Sequence, residues 1–243
     1  MTKKLLAALA ASVMVLTACT ACGKKDKKNT PAANDGKSAA ETSSAEDTPA
    51  AEDASAAETQ PVELEERVAA AAGDAVLCIT DSQWYVKYFG TADDLLSYGA
   101  GAAHISGDGD YTVSVNVGSK GAQQEITGDP SGSYQCEGID FAAVKVFDGT
   151  VLYPKMCIEI KEIRVDGKPV QMTAKNYTSS DDGTEMRANI YNHFVSKFPD
   201  DAHTAEGPVT GEFGEYSSET IDPASFAKWS KVEVDFTVTG TGK

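Results

Sequence analysis

Three aromatic residues between positions 84 and 88 form the first group in this chain whose side chains suit ligand binding. Trp84, Tyr85 and Tyr88 lie close together in a short run that is rich in aromatic and β-branched residues. If this run is a strand, Trp84 and Tyr88 point to the same side. Aromatic rings stack on the C–H faces of sugars, while a few fixed polar groups bind the hydroxyls. These three residues are therefore candidates for glycan binding.

A second group with binding chemistry lies closer to the C-terminus. If residues 184–192 form a strand, then Arg187, Asn189 and Tyr191 share one side and present a guanidinium, an amide and a ring. Apolar residues four apart in this stretch also fit a helical face, but the neighbouring segments have strand patterns, which favours the strand. A structural alternative stays open for both groups, in which Trp84 belongs to the core and Arg187 pairs with a nearby carboxylate.

Two loops rich in Asp and Gly supply the oxygen ligands that calcium prefers. Neither loop has the spacing and the closing Glu of an EF-hand, and Asp-Gly runs also form ordinary turns. A structural calcium ion and plain turns therefore both stay open, and no other cofactor is predicted. The candidate ligands are Asp108, Asp110, Asp181 and Asp182.

Catalytic patterns are absent from the sequence. His104, His193 and His203 stand apart, and there is no H-E-x-x-H, G-x-S-x-G or Walker motif. A glycosidase needs two positioned carboxylates, but among 37 acidic residues some pair always looks plausible. We therefore predict a binding domain, assign no catalytic residue, and keep a glycan-active enzyme as the less favoured alternative.

The charge balance restricts the class of partner. With 21 basic and 37 acidic residues the formal net charge is -16 at pH 7. A chain this acidic, with no cluster of Lys and Arg in its folded part, is poorly suited to neutralising phosphates. We therefore exclude nucleic acid as a partner and regard the charge mainly as a source of solubility.

The N-terminal segment predicts export and lipid attachment. Two lysines precede a short uncharged run that ends in Leu-Thr-Ala before Cys19. This pattern is typical of an export signal, and the run is short for a membrane span. The ending resembles the lipobox of bacterial lipoproteins, which implies a signal peptide over residues 1–18 and a Cys19 acylated with fatty acids such as palmitate. We expect attachment to the outer, extracytoplasmic face of the cell membrane.

Residues 19–61 are expected to be the lipidated cysteine and a disordered tether. From residue 23 to residue 61 there is no aromatic residue and no Ile, Leu or Met, so the segment cannot bury enough apolar surface to order itself. Four lysines follow the anchor closely and suit anionic headgroups, because one acyl signal is usually reinforced by a second or by basic residues. They are Lys24, Lys25, Lys27 and Lys28.

The folded part, residues 62–243, has the pattern of short antiparallel strands. The stretch 138–165 contains two apolar runs of period two, the first apolar on both faces and therefore central, the second with a phase slip at Lys161-Glu162 that indicates a β-bulge. Alternation is clearest over 111–117 and 232–239. About eight such strands and no long helical pattern predict an all-β fold, an antiparallel β-sandwich of jelly-roll type with one or two short helical turns.

Other segments give weaker predictions. Strands are expected over 75–80 and 84–89, and helical turns over 92–98 and 223–226. Residues 62–73 form either a short helix or the end of the tether. Residues 119–134 and 176–182 read as a turn-rich segment and a polar loop.

The folded part contains three cysteines, Cys78, Cys136 and Cys157. Cys78 and Cys157 lie within apolar strand patterns, where a thiol behaves as a small buried hydrophobe. Export would allow a disulfide, but the odd number and the lack of C-x-x-C or Cys/His spacing favour free thiols and argue against zinc.

Several short pieces of strand and turn stand out in the folded part. They are Asp81-Ser82-Gln83-Trp84, residues 105–113, residues 160–167, residues 187–192 and residues 234–238. These pieces resemble the jelly-roll domains of carbohydrate-binding modules and a domain of surface lipoproteins and secreted proteins of gut clostridia. The resemblance implies a lipid-anchored extracellular domain that binds a polysaccharide or host glycan. The alternative is a protein-interaction or envelope-assembly lipoprotein with no sugar ligand.

Overall fold

Two antiparallel β-sheets make up most of the structure. The structure, a computed structural model, describes residues 62–181 and 183–243. The predicted signal peptide, Cys19, the predicted tether and Asp182 lie outside these residues. The prediction of an all-β sandwich is confirmed, whereas its jelly-roll subtype stays a prediction.

The larger sheet has eight strands. Its strand order is β11-β10-β8-β9-β5-β1-β2, and β3 pairs with β1 outside this path. The strands are β1 (Asp74–Thr80), β2 (Lys87–Tyr88), β3 (Ala103–His104), β5 (Phe141–Val146), β8 (Thr178–Asp181), β9 (Glu185–Asn192), β10 (His203–Thr204) and β11 (Gly207–Pro208).

The smaller sheet has four strands in the order β4-β12-β6-β7. These strands are β4 (Gly109–Asn116), β6 (Cys157–Val165), β7 (Lys168–Pro169) and β12 (Lys231–Thr239). Two short α-helices, α1 (Lys120–Thr127) and α2 (Gly149–Leu152), lie in the connections, with 3₁₀ turns at Leu95–Gly99 and Pro223–Phe226. Across residues 62–181 and 183–243, no helix has the length and apolar character needed to cross a membrane.

The core follows from the period-two patterns. In β12 the alternate residues Val232, Val234, Phe236 and Val238 are all buried. Burial of one such side chain contributes roughly 1.5–3 kcal/mol, so this strand anchors the smaller sheet. β5 is central, paired with β1 on one side and β9 on the other, as its apolar faces predicted.

The bulge predicted in β6 is confirmed. Asp235 of β12 pairs with Glu162 and the next residue, Phe236, pairs with Ile160, so Lys161 is the extra residue. The inserted residue restores the phase of the apolar side chains, and Ile163 and Val165 are buried like Ile160.

Some local predictions were wrong, for identifiable reasons. Of the two alternatives for residues 62–73, the helix does not form, because amides of this stretch donate to carbonyls outside it; the Val68 amide donates to the Ser97 carbonyl at 2.8 Å. The turn-rich segment contains α1, which begins at the cap residue Ser119, whose Oγ accepts from the Ala122 amide, and ends at Gly128 in a left-handed conformation. The polar loop contains β8, which pairs with β9.

Candidate functional site

A tight turn between β1 and β2 raises Trp84 to the surface. Asp81, itself buried, accepts hydrogen bonds at its Oδ1 from the amides of Tyr85 (2.9 Å) and Val86 (3.2 Å). Trp84 takes a left-handed conformation with φ of 57°. Its side chain is 45% exposed. The predicted strand over 84–89 is therefore wrong except at β2, and Trp84 is a turn residue.

The Trp84 ring belongs to a continuous group of aromatic side chains, which we call the aromatic patch: Trp84, Phe89, Tyr191, His193 and Phe194. Trp84 stacks on Phe89 with ring centroids 6.0 Å apart and meets Phe194 edge-on at 6.1 Å. The Phe194 ring lies 4.0 Å from that of His193, which lies 5.8 Å from that of Tyr191. Phe194 is 62% exposed. An exposed apolar group of this kind is characteristic of a binding surface.

Asp140 supplies a carboxylate within the aromatic patch. It lies directly before β5 and accepts a hydrogen bond from Trp84 Nε1. Its other oxygen lies 3.8 Å from His193 Nε2. Asp140 therefore orients the Trp84 indole, and its carboxylate lies between the rings of Trp84 and His193.

The opposite end of the aromatic patch is fixed where β9 ends. Asn192 is buried; its Oδ1 accepts from the Phe194 amide at 3.2 Å, and its Nδ2 donates to Asn189 Oδ1 at 3.1 Å. The Asn192 side chain therefore fixes the turn from which His193 and Phe194 point outward. Both this turn and the turn that carries Trp84 are held by a buried polar side chain, Asn192 in one and Asp81 in the other.

An irregularity in β9 separates Tyr191 from the residues predicted to accompany it. Ala143 pairs with Asn189 while the preceding Ala142 pairs with Tyr191, so Ile190 is an extra residue. One extra residue moves later side chains to the other face. Tyr191 therefore joins the aromatic patch, while Arg187 and Asn189 face the opposite side. The prediction that all three share one surface is wrong.

Arg187 and Asn189 belong to a largely buried polar cluster. Arg187 Nη1 donates to Asp181 Oδ1 at 2.8 Å, and Asp181 also pairs with Lys145. Desolvation opposes the charge on Lys145, but the bond to Asp181 and nearby negative charges outweigh it and raise the pKa of Lys145. Asn189 is buried. The structural alternative for Arg187, pairing with a carboxylate, is thus what the structure contains.

The other two aromatic candidates, Tyr88 and Tyr85, differ in their exposure to solvent. Tyr88 is fully buried, its hydroxyl donates to the Val68 carbonyl at 3.2 Å, and burial raises its pKa. It is a core residue and does not reach the surface beside Trp84. Tyr85 is 57% exposed next to Trp84 in the chain and stays a candidate.

Carboxylates surround Tyr191. Burial, followed by the negative charges of Glu219, Asp140 and Asp222, raises the pKa of Tyr191. Its hydroxyl therefore stays protonated as a hydrogen-bond donor. The same charges make this edge of the aromatic patch unfavourable for anions.

The predicted calcium ligands have protein partners. Asp108 accepts from the amides of Gly240 (3.2 Å) and Thr241 (2.9 Å), and Asp110 accepts from the Thr237 hydroxyl. Hydrogen bonds from Thr241 lower the pKa of Asp108. In the part of the chain that the structure describes, no three His, Cys, Asp or Glu side chains are grouped so as to hold a metal ion. Calcium at these loops stays a prediction.

Sequence reasoning missed four members of this site: Phe89, Asp140, His193 and Phe194. The one local signal was Phe194, a large apolar residue placed two positions after the end of β9. The others become neighbours only through the pairing of β1, β5 and β9. Comparisons with protein-family models, curated proteins and solved structures found no match.

Proposed function

We propose that this chain is a lipid-anchored extracellular domain that binds glycan through the aromatic patch. The carrying observation is the pair of exposed rings, Trp84 and Phe194, which meet edge to face, with the carboxylate of Asp140 bonded to the Trp84 indole. The rings offer apolar faces for sugar C–H groups. Asp140, His193 and the protonated Tyr191 hydroxyl offer groups that can bind sugar hydroxyls.

The electrostatics favour a neutral glycan. Asp140, Glu219 and Asp222 lie near Tyr191. A uronate or sialic acid placed there would meet like charge at short range, which is unfavourable. We therefore propose neutral pyranose chains as the class of ligand.

A glycan array of neutral and acidic polysaccharides tests this function. Wild-type protein should bind neutral members, and Trp84→Ala should lower affinity by about 10- to 100-fold, the usual cost of removing a central aromatic contact. Val151→Ala is the matched control, because Val151 is also an exposed apolar residue, is 69% exposed, and lies outside the aromatic patch. It should bind like the wild type.

Two results would contradict the proposal. Binding confined to acidic glycans would refute the electrostatic argument. A blank array, together with a protein partner whose capture depends on Trp84 and Phe194, would favour the protein-interaction alternative.

The membrane anchor is a separate part of the proposal, supported by the Leu-Thr-Ala-Cys19 sequence. Cys19→Ser should move the protein from the membrane to the soluble fraction and abolish labelling by an alkynyl fatty acid, because a single basic cluster anchors weakly. Cys22→Ser is the control and should leave both unchanged. An unmodified Cys19 in protein from its native host would contradict the anchor.

A further inference from the structure

A cleft separate from the aromatic patch lies at the start of β6. It has a volume of about 890 Å³, and a smaller cavity of about 190 Å³ shares several lining residues with it. The shared residues include Cys157, His203 and Thr239. The cleft thus brings a thiol and an imidazole together in space open to small molecules.

Backbone carbonyls hold the ring of His203. Its Nδ1 lies 2.7 Å from the carbonyl oxygen of Asp201, and its Nε2 lies 3.0 Å from that of Met156, the residue before Cys157. Carbonyl oxygens only accept hydrogen bonds, so both ring nitrogens can donate only in the imidazolium form. Interaction with the neighbouring Cys157 side chain, then the contacts with the two carbonyls, outweighs desolvation and raises the pKa of His203 to about 9. The ring is a fixed cation at pH 7.

Cys157 differs from the other thiols that the structure describes. Cys78 and Cys136 are buried, and Cys157 is partly exposed. Burial raises the pKa of Cys78 to about 12 and also raises that of Cys136, so both stay protonated. Of the three thiols, Cys157 is the one that combines access to the cleft with a neighbouring cation, the surroundings in which reactive cysteines are found.

We propose that Cys157 is a reactive thiol that forms mixed disulfides with low-molecular-weight disulfides entering the cleft. The Cys157 thiolate attacks one sulfur of the small disulfide, whose S–S bond breaks as the new S–S bond forms. The other half leaves as a thiolate and takes a proton from water, so Cys157 is oxidised as the small disulfide is reduced. His203 keeps its proton and stabilises the attacking thiolate by charge. This activity does not depend on glycan binding.

Two other charged groups that line the cavities are engaged elsewhere. The Asp201 carboxylate accepts from the Ser180 amide at 2.7 Å, and Lys175 pairs with Glu215 at 2.6 Å. The ring of His203 is therefore the cation that hydrogen bonds hold beside Cys157. The remaining titratable lining residues are Lys155, Glu159, Tyr177, Glu206 and Tyr216.

The test uses the full chain in detergent, treated with glutathione disulfide at pH 7, with peptide mass spectrometry to assign each modified cysteine. Cys157 should react about 100-fold faster than Cys78 or Cys136, because only its thiol is both accessible and beside a cation. Reaction of Cys157 at the same rate as the two buried thiols would overturn the proposal without any variant.

Two variants test the role of the imidazole. His203→Gln should slow modification of Cys157 by about 10-fold at pH 7, and the difference from wild type should shrink as the pH rises through about 9, where the imidazolium of the wild type loses its proton. Lys155→Gln removes another cation of the cleft and should change the rate by no more than about twofold. An unchanged rate in folded His203→Gln protein would overturn the role of His203.

Discussion

The two tryptophans of the chain lie in opposite environments. Trp229 is fully buried, packs edge-on against Phe226, and donates from Nε1 to the Gly138 carbonyl at 2.8 Å. Trp84 is close to half exposed, and its Nε1 bonds to Asp140 at the surface. Packing explains the first residue fully. It explains little of the second, which is why we propose a role in ligand binding for Trp84.

The backbone of Trp229 is held by hydrogen bonds, whereas that of Trp84 is strained. Trp229 exchanges two backbone hydrogen bonds with Cys136, at 2.9 and 3.0 Å. Trp84 holds a left-handed conformation, which costs a non-glycine residue roughly 1–2 kcal/mol. Such strain commonly persists where a side chain serves function. The comparison thus contrasts a residue that stabilises the fold with one that the fold stabilises.

The largest expected effect is the loss of stability when the buried tryptophan, Trp229, is removed. Trp229→Ala should lower the free energy of unfolding by about 3–5 kcal/mol, because it leaves a cavity and an unpaired Gly138 carbonyl. Urea denaturation monitored by circular dichroism measures this change in the free energy of unfolding. A loss under about 1 kcal/mol would remove the contrast between the two tryptophans.

The next effect is on binding. Trp84→Gly and Phe194→Ala should each weaken glycan affinity by about 10- to 100-fold, since each removes one of the two exposed rings. Isothermal titration calorimetry with a neutral glycan identified on the array measures it, with Val151→Ala as control. Wild-type affinity in either variant would remove that residue from the site.

A smaller effect separates strain from packing at Trp84. Trp84→Gly and Trp84→Ala both delete the ring, but only glycine relieves the left-handed conformation. We therefore expect Trp84→Gly to be more stable than Trp84→Ala by about 1 kcal/mol in the same denaturation experiment. Equal stability of the two variants would show that the turn is unstrained.

The smallest effect concerns a residue in which stability and chemistry coincide, His203. Its pKa rises from 6.5 to about 9 on folding, so the imidazolium stabilises the folded state fully below about pH 6.5 and loses this contribution as the pH rises through about 9. The stability difference between wild type and His203→Gln should therefore be largest at pH 6 and shrink by pH 10. Thermal unfolding across this range checks it, and a difference that grows with pH would reverse the sign of the argument.

Strands with strict alternation could be predicted from the sequence, because one buried face determines the residue types. β12 and the bulge at Lys161 followed from the spacing of apolar residues alone. β8 could not be predicted in this way, since its Thr178 and Ser179 are polar yet buried. Thr178 offsets this by donating and accepting across to Ile158, a partner distant in the sequence.

The site was only partly predictable for a related reason. Trp84 and Tyr191 were identified as candidates by residue type, and both lie in the aromatic patch. The assumption of uninterrupted strands failed twice, at the turn held by Asp81 and at the extra residue Ile190. A single residue reverses the facing of every later side chain, and neither interruption has a Gly or Pro to mark it.

The most direct test of the proposed site is the fluorescence of two single-tryptophan proteins during titration with a neutral glycan identified on the array. Trp229→Phe protein retains only Trp84, and Trp84→Phe protein retains only Trp229. We predict that the emission of Trp84 changes saturably with glycan concentration while that of Trp229 stays constant. A constant Trp84 signal in protein that still binds the glycan would contradict the assignment of the aromatic patch as the binding surface.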